Sequence, residues 1–241
     1  MSRVALTVLL AGALAVTLAS PACAHLVPGG SETLLAMMAA GDGMVVARSA
    51  AATHERDARS AATPFLAREV VAGLGPSDAF VLDAEPPILR YAELQDVLVL
   101  VAQRPSATGA PRWLSVQPAG AAIVLASPVL PEASRDILKR LWGVAHPPPG
   151  TAPDPAVAVA ALIEALSLPE QKLRALAYLD LARLASDPEH FSPADIARLA
   201  SYGSAPGDDG QLAGAVNDLG RRLQRDGRTR PPTTAEQGAK P

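Results

Sequence analysis

One cysteine, Cys23, stands in the 241-residue chain, and it lies close to the start. That count excludes a fold stapled by disulfides, so stability has to come from packing. Eight aromatic residues (two Trp, three Tyr, three Phe) are scattered along the sequence, too few for a groove on which the bases of a single strand could stack. Charge is nearly balanced, with 21 Lys and Arg against 24 Asp and Glu, which leaves no overall field to attract nucleic acid or an anionic membrane. No G-x-S-x-G elbow, no Gly-rich phosphate loop with a lysine and no H-E-x-x-H pair occurs. The four histidines, His25, His54, His146 and His190, are far apart in sequence. No cofactor and no nucleic-acid partner are expected.

What is present begins with Arg3 and the uncharged apolar run 4–18. The run is shorter than the roughly 20 residues a spanning helix needs. Pro21 stops it, and Ala22-Cys23-Ala24 supplies the small-x-small pattern of a cleavage site. A secretory signal peptide is expected over 1–24, cut after Ala24, giving a periplasmic or secreted product with no transmembrane segment. The alternative is a lipoprotein anchored through Cys23. Removing 1–24 takes away a single charge, Arg3, so 20 basic residues face 24 acidic ones and the balance becomes −4.

The run Asp96 to Gln103, D-V-L-V-L-V-A-Q, organises the first half. Its β-branched residues and its length predict a buried central strand. A short helix over 32–40 and five further strands are expected around it, at 44–48, 64–71, 79–83, 112–117 and 121–126, each bounded by Gly, Pro, Ser or Asp. In the 112–117 strand, Leu114 and Val116 are expected to face the core, with Ser115 and Gln117 outward. Six short strands with turns between them suggest a small antiparallel barrel or sandwich over 31–128.

The order D-G-M-V-V-A-R, then a strand ending V-V-A-G-L, then Q-D-V-L-V-L-V-A resembles exported OB-like or netrin-like β-barrel modules of bacteria. The resemblance implies a small barrel and carries over no catalytic residue. Animal members of that group place a cysteine at the mature N-terminus, where this chain has His25, so their inhibition of metalloproteinases is not transferred.

A connecting helix over 129–143, with Pro131 at its first position, leads to a proline-rich linker at 144–154. Four helices follow, near 155–167, 170–186, 193–202 and 210–225, three of them started by Pro155, Pro169 and Pro193. Ser192 and Asp195 have the spacing of a capping box. The helices form two pairs offset by just under 40 residues, and L-R-A-L-A-Y-L-D-L-A-R-L-A at 173–185 resembles the inner helix of a HEAT repeat. The fold class expected is α+β, a small OB- or netrin-like barrel followed by a separate HEAT-like helical domain over 155–226. A polar tail, 227–241, is expected to be disordered.

Two groups stand out chemically. His54, Glu55 and Asp57 form the densest ionisable cluster, and a solvated hairpin tip is the plainer explanation of it. Asp180 lies within the apolar face of its helix, with Leu173, Leu176, Ala177 and Leu184 at helical spacings, and is expected to be a buried structural acid held by an arginine, a helix N-terminus or a loop amide. The reading is of an exported, non-catalytic binding or scaffolding protein whose partner is another envelope protein. A hydrolase whose site is built from loops is the alternative class, and the oligomeric state is left open.

Overall fold

The computed structural model describes residues 33–49, 62–76, 79–83, 96–104, 112–116, 123–203 and 210–229. These form a mixed α+β arrangement. Helix α1 (Leu34–Ala40) precedes strands β1 (Gly43–Ser49), β2 (Ala62–Gly73), β3 (Ala79–Asp83), β4 (Val97–Arg104), β5 (Arg112–Ser115) and β6 (Ile123–Val124). Helices α2 (Glu132–Ala145), α3 (Pro155–Ala165), α4 (Gln171–Leu184), α5 (Pro193–Ala200) and α6 (Gln211–Thr229) follow, with a 3-10 turn at Pro188–His190 between α4 and α5.

The strands run β1-β2-β3-β5-β4-β6 in one antiparallel sheet, except that β3 and β5 pair in parallel through Leu82–Trp113 and Asp83–Leu114. Strand β1 also pairs with β4, from Gly43–Val101 to Ala47–Val97. The five aliphatic residues Val97 to Val101 are all buried. Val97, Val99 and Val101 pack with Val45, Ala47, Phe65, Phe80 and Trp113 in one cluster. Leu98 and Leu100 point the other way, into a larger cluster with Met44, Val46, Leu34, Met38 and Leu138. Apolar contacts on both faces explain why β4 is a continuous aliphatic run rather than an alternating one. Strand β5 departs from the expected alternation: Trp113 is the buried residue, while Leu114 and Ser115 are both half-buried. The indole packs into the β4-side cluster on the face opposite to Leu114, while Val116 packs against the helix-side cluster as expected.

The β1–β2 ladder is irregular. Val46 lies opposite Glu69 but Ala47 lies opposite Ala67, so one step on β1 matches two on β2 and Arg68 is the extra residue. A bulge shifts which face the following residues occupy. Phe65 and Ala67 accordingly belong to the β4-side cluster; a second register shift, between Met44 and Val45, skips Val71, which belongs to the helix-side cluster.

On the helix side, α1 packs on β4, α2 and α4, and α2 packs on β2 and α3. Helix α4 is buried over most of its circumference, with Leu173, Leu176, Ala177, Tyr178 and Leu181 in the larger cluster. That cluster runs without a break from Met44 in β1 to Leu223 in α6, passing the proline-rich stretch by. Start signals were legible with two shifts. Pro155 and Pro193 occupy first turns, and Ser192 with Asp195 makes a reciprocal capping box. Pro131 is instead the N-cap of α2, and α4 begins at Gln171 with Glu170 as its cap, leaving Pro169 in the loop. The last helix continues to Thr229, through Gly227, into the first residues of the expected disordered tail. A glycine in an exposed helix costs only about 1 kcal/mol, too little to end it. No helix among the described residues is long and apolar enough to cross a membrane.

Candidate functional site

A cleft of about 450 Å³ opens where β1 and β2 meet the segment leading into α2, lined by Val46, Arg48, Arg68, Glu69, Asp96 and residues 128–130. Asp96 precedes β4 and its side chain is only 2% exposed. Arg48, at the end of β1, binds it edge-on: Nε donates to Oδ1 at 2.9 Å and Nη2 to Oδ2 at 2.7 Å. This fork geometry is the strong form of an ion pair, and it is what lets a carboxylate stay buried.

The bulge brings Arg68 to the same carboxylate. Its Nε lies 3.9 Å from Asp96 Oδ1, beyond hydrogen-bond reach, and its side chain is half exposed. Glu69, the next residue, also lines the cleft but is engaged by Arg135 of α2, whose Nη2 donates at 3.1 Å to Glu69 Oε2 and at 3.3 Å to the Leu130 carbonyl. Arg135 Nε donates to the other Glu69 oxygen. The hydrogen bonds that Arg135 donates to Glu69, and the charge of that carboxylate, raise the Arg135 guanidinium above its ordinary value. The segment itself is braced from the helices, since Glu170 Oε1 accepts from Ala126 N at 3.4 Å.

None of these residues stands out by motif. Consecutive charges, Arg68-Glu69, interrupt an otherwise apolar β2 sequence, and such a break in alternation is the trace a bulge leaves in a sequence. Asp96 directly before an aliphatic run was the other trace.

The residues singled out from sequence lie elsewhere. His54, Glu55 and Asp57 are outside the described residues, as are Cys23 and His25. Asp180 is 6% exposed and meets the N-terminus of α1. Its Oδ2 accepts from Leu35 N at 3.0 Å, and the Thr33 hydroxyl, which also accepts from Ala36 N at 3.3 Å, bonds the same carboxylate. Burial pushes the Asp180 carboxyl above its ordinary value, against the opposing pull of the Thr33 and Leu35 hydrogen bonds and the Arg183 charge. Arg174, also buried, turns Nη1 to the loop carbonyls of Leu168 and Pro169 at 2.7 and 2.9 Å, a bracing role. His146 stacks on Trp142 and sits 3.1 Å from the Gly41 carbonyl, tying α2 to the α1–β1 turn. His190 lies 3.5 Å from Asp187.

Among the described residues no group of three or more His, Cys, Asp or Glu is placed to hold a metal. What the cleft offers is recognition: an ordered ion pair, a second guanidinium that makes no hydrogen bond among the described residues, and apolar walls. Comparison with protein-family models, curated proteins and solved structures yields no match.

Proposed function

We propose that the chain is an exported, non-catalytic binding protein that engages another envelope protein through the cleft at Arg48 and Arg68. The observation that carries this reading is Arg68: half exposed, at the mouth of a cleft, and without a hydrogen bond among the described residues. Arginine, with tryptophan and tyrosine, is enriched at interface hot spots, and a fork with unused donors has affinity to give. The architecture is read as a small OB-like barrel followed by a HEAT-like pair of helical pairs. The circuit of pairings from β1 through β2, β3, β5 and β4 back to β1 supports the barrel. The succession of α3 to α6 supports the helical pairs. In this reading the helical unit buttresses the cleft through Glu170, and the connecting helix α2 does so through Arg135.

Capture from cell-envelope extract tests the proposal, using wild type and Arg68→Glu side by side. One protein recovered by wild type and lost by the variant is the expected outcome. Recovery of the same proteins by both, or of none, counts against it. Export is tested separately by the mass of the mature N-terminus: a chain starting at His25 is expected, and a diacylglycerol-modified Cys23 would make the protein a lipoprotein instead.

A further inference from the structure

We propose that the cleft is a carboxylate-binding site, taking a single carboxylate carried on an apolar group. This rests on the binding reading above and names what is bound. Of the guanidiniums at the cleft, Arg48 is locked edge-on to Asp96, and Arg135, itself flanked by Glu132 and Asp136, is engaged with Glu69. Arg68 is the guanidinium left without a hydrogen bond among the described residues, 3.9 Å from Asp96, and its charge is the one an incoming anion would meet. A monoanion cancels that charge. A phosphate dianion would leave a negative charge beside Asp96 and Glu69 in a partly desolvated cleft, where repulsion is weakly screened.

Shape points the same way. A planar carboxylate fits the fork of a guanidinium with two parallel hydrogen bonds. Arg68 has its donors unused among the described residues, and Arg48 spends only Nε and Nη2 on Asp96. Val46, Pro128, Val129 and Leu130 form the apolar wall, and Val129 is 69% exposed. Apolar surface left uncovered at the rim of an anion site is what a carboxylate on a hydrocarbon group would cover. The volume of about 450 Å³ accommodates one or two amino-acid residues or a short organic acid. Two sources share this chemistry, a peptide C-terminus with an apolar last residue and a free aliphatic acid.

Calorimetric titration of the mature chain separates them. The probes are a short peptide ending in leucine, the same peptide amidated at its C-terminus, hexanoate, and inorganic phosphate. The free-acid peptide or hexanoate is expected to saturate one site. Amidation, and Arg68→Gln in the protein, are each expected to weaken binding roughly 10- to 100-fold, the scale of a hydrogen-bonded charge. Hexanoate binding as well as the peptide assigns the site to free acids, and much weaker hexanoate binding assigns it to peptide termini. Equal binding of acid and amide, an unchanged affinity in Arg68→Gln, or a preference for phosphate overturns the proposal. The amide comparison needs no variant and stands even if Arg68→Gln folds poorly. If no carboxylate binds but Arg68→Glu still loses its envelope partner, the carboxylate assignment fails and the binding reading survives; if neither occurs, both fall.

Discussion

Asp180 shows what a single residue reveals in a sequence and what it conceals. Its misfit with the surrounding leucines marked it as a buried acid, because an unpaired charge at such a position would cost several kcal/mol. The partner was beyond reach, since the N–H of Leu35 is 145 positions away. Removing a buried acceptor leaves its donors unmet, so Asp180→Ala is expected to lower stability by about 2 to 4 kcal/mol in a urea or thermal melt. An unchanged melt would mean that the Leu35 N–H bond contributes nothing. The acid also has a pH signature. Its folded value lies above the unfolded one near 3.8, so folding takes up a proton between the two. Stability from this group is fully present below the unfolded value and is lost as pH rises through the folded one. Urea midpoints measured across that range should show the slope in wild type and not in Asp180→Asn; identical profiles would contradict it. Arg68 was illegible for the opposite reason, as a charged residue in a strand reads as a solvent-facing position until the bulge is known.

At the scale of elements, hydrophobic pattern and helix-start chemistry located all six strands and all six helices among the described residues, because each depends on neighbours in sequence. What they did not locate was the bulge in β2 and the parallel pairing of β3 with β5, which depend on strands remote in the chain. The crossing of α5 and α6 is another such fact. A Cβ added at Gly220 would fall 2.3 Å from Ala200 N and 2.7 Å from its Cα, and both are backbone atoms that cannot yield unless the helices part. Gly220→Ala is therefore expected to lower stability by about 1 to 3 kcal/mol. Gly214, on the same helix, has nothing within 4 Å of its added Cβ. Gly214→Ala should be neutral or stabilise by up to about 1 kcal/mol through helix propensity alone. Equal effects at the two sites, compared by thermal melts, would show that the close crossing is absent.

For the whole molecule, the proline-rich stretch suggested two independently folding units, since a proline run favours an extended polyproline conformation and reads as a semi-rigid linker. The larger buried cluster, however, takes side chains from both sides of it, Met44 and Leu100 as well as Leu176 and Leu219. A shared core predicts one cooperative transition, with tryptophan fluorescence and helical circular dichroism changing together; two separated transitions would show independent units instead. The same continuity ties the cleft to the helices through Glu170 and Arg135, and the cleft is proposed as the place where a partner binds. Hydrogen exchange of the chain with and without the captured envelope partner tests that claim most directly. Protection confined to β1 and β2 around residues 46–48 and 66–70, and to the segment 126–131, is the predicted result. Protection centred elsewhere, or no change at those amides with the partner bound, would contradict it.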